Sequence, residues 1–115
     1  MGEKRKYANE SALSSAIIAD FNKMHGVFCQ KLHGSAFGSA GLDIFGHING
    51  KLFWLEVKQP NRLPTPRQNA IMQKWIRSGA IATWTNSLDC AREFVNKVLR
   101  DGSAGDEETQ LKGYL

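Results

Sequence analysis

The chain has 115 residues, of which 42% are hydrophobic and 23% are charged. This length and composition are typical of one soluble globular domain. No apolar run approaches the roughly 20 residues that are needed to cross a bilayer. The charged residues 1–6 lead into no apolar signal segment, so we expect a cytoplasmic protein. Cys29 and Cys90 lie far apart and fit neither a zinc site nor a disulfide framework, which indicates two reduced core thiols.

The positive charge is concentrated in the first hundred residues. The formal net charge of the chain is +4, but residues 1–100 carry 14 of the 15 basic and 7 of the 11 acidic side chains, which gives +7. Such a basic body favours a polyanionic partner, because lysine and arginine neutralise phosphates whatever the nucleotide sequence.

The first half of the chain predicts one helix and three strands. Apolar residues recur at helical spacing over residues 10–24, with Asn9 as the N-cap. Residues 27–33 are predicted to form a strand, followed by a small-residue loop at 34–41. Strands at 42–48 and 51–58 then flank Asn49-Gly50, the strongest short hairpin signal, because both turn positions require a positive φ.

The second half predicts a helix, a strand and a further helix. Thr65 caps the first of these helices, which ends at Gly79. Residues 81–85 form the last strand, and Ser87 caps a third helix that runs to about residue 100. Few large apolar residues follow, so residues 101–115 are predicted to be a mobile tail outside a single domain at 1–100.

This order of elements, αβββαβ(α), predicts an α/β fold with one mixed sheet flanked by helices. The short hairpin must be antiparallel, whereas the last strand follows a helical crossover. The nearly continuous apolar character of residues 51–57 indicates that helices cover both faces of the sheet.

The hairpin register brings three charged side chains together. A two-residue turn pairs Phe45 with Trp54 and Asp43 with Glu56, and Lys58 follows on the same face as Glu56. We expect the aromatic pair to be core under the first helix. Two facing carboxylates repel each other, and a divalent cation such as Mg²⁺ would compensate their charge. The alternative is a structural role in which Glu56 only forms an ion pair with Lys58.

These residues resemble a known nuclease family. Gly41-Leu42-Asp43, Leu55-Glu56-Val57-Lys58 and Gln68 of the following helix are similar to the motifs of the VRR-NUC (virus-type replication-repair nuclease) family. That family belongs to the PD-(D/E)XK superfamily, which implies a restriction-endonuclease-like core. The resemblance extends over about residues 10–86. Leu42 is a departure, because the family usually has proline there, and it puts the local strand geometry in question without removing a ligand.

The resemblance implies a catalytic site and its cofactor. The metal would be Mg²⁺, with Mn²⁺ as a substitute, held by Asp43, Glu56, the backbone carbonyl of Val57 and Glu10. Lys58 would be the catalytic lysine, and Gln68 would belong to the site. Two alternatives stay open: Glu10 can simply favour the helix dipole, and Gln68 can form a capping box with Thr65.

The resemblance also implies a substrate and an assembly. Stand-alone members act as homodimers on branched DNA such as Holliday junctions, in bacteria or phage-infected cells. Lys31, Arg62 and Arg67 are candidate phosphate contacts, with a solvated surface role as the alternative, and the loop at 34–41 could close over DNA. A less selective endonuclease or nickase is the second enzyme hypothesis. A non-catalytic DNA-binding module of the same fold is the third.

Overall fold

The structure is a computed structural model that describes residues 7–31 and 43–115. Residues 32–42, which include the predicted loop at 34–41 and Leu42, therefore lie outside the described residues. The elements are α1 (Glu10–Phe21), β1 (Val27–Lys31), β2 (Ile44–Ile48), β3 (Lys51–Val57), α2 (Pro66–Arg77), β4 (Ile81–Thr85), α3 (Leu88–Asp101) and α4 (Glu107–Lys112). The predicted order is confirmed through α3, and α4 is an addition.

The four strands form one mixed sheet in the order β1-β2-β3-β4. The first three are antiparallel neighbours, and β4 runs parallel to β3. Asn49 and Gly50 have φ angles of 51° and 83°, so the turn has the positive values that the Asn-Gly pair predicts. The register places Phe45 opposite Trp54, as predicted. Helix α2 supplies the crossover that makes β4 parallel.

Helices cover both faces of the sheet. On one face, apolar residues of β3 pack under α1 and α3, and on the other face the aromatic residues of β3 and β4 pack under α2. Phe45 and Trp54 belong to this second face, where the Trp54 and Trp75 rings lie 4.2 Å apart, so their predicted place under the first helix is wrong. The period of two shows that both side chains share a face, but not which helix covers it.

The predicted helix starts are confirmed. The side chains of Asn9, Thr65 and Ser87 each accept a hydrogen bond from the first turn of α1, α2 and α3. Both Cys29 and Cys90 are buried and outside any disulfide, as predicted. Within residues 7–31 and 43–115, no helix is both long and apolar enough to span a membrane.

The prediction of a mobile tail at 101–115 is wrong, because α4 and the last residues cover the open edge of β4. The Gln110 side-chain oxygen accepts a hydrogen bond from the Ala82 amide at 3.0 Å, and the Tyr114 amide donates to the Trp84 carbonyl at 2.7 Å. An uncovered edge strand would leave these backbone groups unpaired. Hydrogen bonds to β4, rather than a long apolar stripe, hold this segment, which is why its composition suggested a tail.

Candidate active site

Asp43 lies where the ladder between β2 and β3 ends. The last registered pair is Ile44 with Leu55, and one further step places Asp43 opposite Glu56, as the hairpin register predicts. The Asp43 Oδ2 atom accepts a hydrogen bond from the Val57 amide at 2.9 Å, so the carboxylate satisfies a backbone donor of β3. In a strand, the N–H and C=O of one residue point to the same side. The Val57 carbonyl is therefore also turned toward Asp43.

Glu56 is a buried carboxylate with one free oxygen. Only 2% of the residue is exposed, and its Oε2 atom accepts a hydrogen bond from Gln68 Nε2 at 2.9 Å. The Lys58 ammonium lies 3.6 Å from the same oxygen. The other oxygen, Oε1, is buried and has no hydrogen-bond partner. A buried acceptor without a partner is costly, so this atom could accept a bond from a ligand that reached it.

Gln68 forms the capping box and also contacts Glu56. The side-chain Oε1 atom of Gln68 accepts a hydrogen bond from the backbone amide of Thr65 at 2.9 Å. The backbone amide of Gln68 donates to Thr65 Oγ1 at 3.1 Å, which completes a capping box. Because the side-chain oxygen is held by Thr65, the NH₂ group of Gln68 faces Glu56. The start of α2 thus fixes the position of an acidic side chain on β3.

Glu10 reaches the site from the first residue of α1. Its Oε2 atom accepts a hydrogen bond from the Gln59 amide at 3.1 Å, which joins α1 to the chain just beyond Lys58. Lys31, at the end of β1, donates to Ser11 Oγ at 3.0 Å on the neighbouring side. Sequence reasoning missed Ser11 and the Gln59 amide, because both act through contacts between elements that are distant along the chain.

The two carboxyls at the centre of the site, Asp43 and Glu56, have raised pKa values. Burial raises the pKa of Asp43, the Val57 hydrogen bond opposes that shift, and the charge of Glu10 adds to it, while Lys31 and Lys58 lower it. Burial, and next the charge of Asp43, raise the pKa of Glu56 to about 8 against the opposing charge of Lys58. Both shifts disfavour the ionised carboxylates, so an added positive charge would stabilise their ionised form.

Comparison with solved structures assigns the fold. A structure described as a VRR_NUC domain matches with a TM-score of 0.60 and 21% sequence identity, over 80% of this chain and 95% of that one. This chain has a VRR-NUC-like fold. The fold predicted from the hairpin motifs is thereby confirmed. No family model and no curated protein matches the chain.

The acidic groups of this VRR-NUC-like fold fit a metal that keeps several waters. Among the described residues, no three histidine, cysteine or acidic side chains come together as a metal-binding group by themselves. Mg²⁺ typically takes one or two carboxylates and completes its sphere with water and substrate phosphate. Asp43, the free Oε1 of Glu56 and the Val57 carbonyl suit that pattern. Glu10 adds negative charge nearby.

Arg62 and Arg67, the two arginines predicted to contact phosphates, lie at different distances from the site. Arg62 borders a cleft of about 360 Å³ beside Glu10, so it adjoins the site. Arg67 is exposed in the first turn of α2 and makes no ion pair within the described part of the chain. The structure thus brings Glu10, Lys31, Asp43, Glu56, Lys58, Gln68 and Arg62 into one region, and leaves Arg67 at its edge.

Proposed function

We propose that this protein is a metal-dependent DNA endonuclease that cleaves branched DNA such as Holliday junctions. The observation that carries the proposal is the cluster of Asp43, Glu56 and Lys58 on one face of the sheet, with a buried oxygen of Glu56 that lacks a partner. The raised pKa values of both carboxyls support a cation there. The name of the VRR_NUC neighbour supports a nuclease rather than a DNA-binding module.

Each residue of the cluster has a part in this chemistry. Asp43, Glu56, the Val57 carbonyl and Glu10 would hold Mg²⁺ or Mn²⁺. When bound, the metal would lower the pKa of the attacking water and polarise the phosphoryl oxygens. Lys58 places a positive charge beside these groups, where it stabilises the negative charge that develops on the phosphate in the transition state.

Gln68 and the basic side chains act around this centre. The side-chain NH₂ group of Gln68 donates a hydrogen bond to Glu56 Oε2, which leaves Glu56 Oε1 available for the metal. Lys31, Arg62 and Arg67 bind the DNA backbone, in line with the net charge of +7 over residues 1–100. A four-way junction has two strands to cut, so a twofold homodimer would present one site to each.

Cleavage assays test the proposal. Labelled four-way junction, flap and plain duplex are incubated with the protein in Mg²⁺, Mn²⁺ or EDTA. We expect the junction to be cut only with metal. Asp43→Asn should lower the rate by about a hundredfold or more, because it removes a charged ligand. The control is Asp89→Asn, which neutralises an exposed aspartate on α3 and should keep the rate.

Two results would contradict the proposal. Cleavage that persists in EDTA, or in the Asp43→Asn variant, would exclude the metal site. Equal cleavage of duplex and junction would remove the branched-DNA substrate and leave the less selective endonuclease. Light scattering of the protein, alone and with junction DNA, measures whether two copies assemble.

A further inference from the structure

A cleft lies next to the proposed catalytic site, between α1 and the chain that leaves β3. Its volume is about 360 Å³, and it is lined by Asn9, Glu10, Ser11, Gln59 and Arg62. A turn places Arg62 at this cleft, because the Arg62 amide donates to the Gln59 carbonyl at 2.9 Å and Pro60 follows Gln59 in the turn. The cleft is therefore built by backbone hydrogen bonds, with Arg62 on its rim.

Arg62 and Arg67 differ from the three other arginines of the described chain. Within residues 7–31 and 43–115, no carboxylate lies within ion-pair distance of either side chain, although Glu10 lines the same cleft as Arg62. By contrast, the guanidinium groups of Arg77, Arg92 and Arg100 are each paired with an acidic side chain. The second cation at this place is Lys31, whose ammonium contacts Ser11 Oγ at 3.0 Å. Arg62 and the Ser11 hydroxyl thus line the cleft, and the Lys31 ammonium contacts that hydroxyl.

The acidic group of the cleft is already engaged. Glu10 Oε2 accepts the Gln59 amide, and Gln59 is the residue directly after Lys58. The cleft therefore adjoins the chain directly after Lys58 of the proposed catalytic site. A strand of DNA that places one phosphate at Lys58 would carry its neighbouring phosphate into this space.

We infer that this cleft binds the DNA backbone phosphate next to the one that is cleaved. The Arg62 guanidinium donates hydrogen bonds to its oxygens, and the Ser11 hydroxyl and Lys31 contact it from the other side. That this phosphate is the neighbour of a cleaved one rests on the proposed nuclease function. The cleft would set the position of the cleaved bond along the strand, because a backbone contact fixes register without reading bases.

The first test compares two arginines. Binding of labelled four-way-junction DNA is measured in EDTA at several salt concentrations, so that no cleavage occurs. Arg62→Ala should weaken binding about tenfold and lower the slope of log K against log salt by about 1, because one phosphate contact is lost. Arg100→Ala removes the same charge from α3, where the side chain is paired with Asp101, and should change binding less than about twofold.

The second test adds a charge inside the cleft. Ser11→Asp puts a carboxylate in the first turn of α1, where the helix dipole favours it. We expect the melting temperature to stay equal or rise while DNA binding falls by about tenfold. Ser15→Asp, one turn farther along the same helix and also exposed, should leave binding within about threefold. Opposite directions for stability and binding separate a phosphate site from a folding defect.

The outcomes distinguish this inference from the proposed function. If the protein cleaves DNA but Arg62→Ala and Ser11→Asp bind like their controls, the cleft is not a phosphate site. If the protein does not bind DNA at all, the inference is also overturned. If binding depends on Arg62 and Ser11 as expected but no DNA is cleaved with any metal, the phosphate site stands and the nuclease proposal fails.

Discussion

The two faces of the sheet have different chemistry, although the same strand, β3, contributes to both. Toward α1 and α3 it presents Phe53, Leu55 and Val57, all fully buried among apolar side chains. Toward α2 it presents Trp54, then Glu56 and Lys58. Glu56 and Lys58 are the two buried charged side chains of the described chain, and both lie on this second face.

The difference indicates which face stabilises the fold and which carries the site. Apolar burial is the main favourable term in folding, so the α1/α3 face contributes most of the stability. A buried carboxylate beside a lysine loses hydration and is weak evidence for stability. Charges that break the apolar pattern of a strand are expected at functional sites. Four substitutions, one on each face and one at each of two helix caps, test this division.

Phe53→Ala should have the largest effect. The Phe53 ring is fully buried between Phe21 and Phe94, with ring centroids at 6.2 and 5.7 Å. Removing it leaves a cavity and should lower the free energy of unfolding by about 3–5 kcal/mol. Urea unfolding followed by tryptophan fluorescence measures the loss. Phe53→Leu is a milder substitution to use if the alanine variant does not fold. A decrease in the free energy of unfolding below about 1 kcal/mol in both variants would contradict the conclusion that this face stabilises the fold.

Glu56→Gln should have the opposite effect on stability. Burial, and next the charge of Asp43, raise the pKa of Glu56 to about 8 from its ordinary value of 4.5. The folded, metal-free protein therefore binds a proton that the unfolded chain releases, and stability is lost as pH rises from about 4.5 through about 8. Glutamine avoids that loss. In EDTA its melting temperature should match wild type at pH 4 and exceed it at pH 9 by on the order of 5 °C.

Glu56→Gln should also lower activity, because the glutamine side chain carries no negative charge to bind a cation. We expect the metal-dependent cleavage rate to fall by about a hundredfold. Glu93→Gln, at an exposed position of α3, is the matched control and should change neither quantity. A Glu56→Gln protein that is less stable than wild type at pH 9 would show that the Glu56 charge supports the fold.

Two helix caps provide the smallest contrast. Thr65→Ala and Ser87→Ala each remove an N-cap side chain, from α2 and α3, and each should cost about 1 kcal/mol of stability. Only the Thr65 hydroxyl accepts the backbone amide of a residue, Gln68, whose side chain contacts Glu56. Thr65→Ala should therefore lower cleavage by a few-fold and Ser87→Ala should not, while Thr65→Ser restores it. Equal activity of the two alanine variants would mean that the capping box does not position the site.

Local signals were sufficient for much of the site. The Asn49-Gly50 turn sets the register of β2 and β3, so Asp43 and Glu56 could be placed opposite each other without a structure. The residues missed, Ser11 and Gln59, contact Lys31 and Glu10. Those contacts join α1 to the ends of β1 and β3, and no sequence spacing encodes them.

The sequence by itself determined the element order, the helix caps, the hairpin register and the grouping of two acids with a lysine, because each depends on neighbours within a few residues. Tertiary structure decided which helix covers which face of the sheet, since the strand period is the same on both sides. It also decided that Gln68 serves Thr65 and Glu56 at once. The place of residues 107–112 depended on it too, because the unpaired edge of β4 exists only after the sheet has formed.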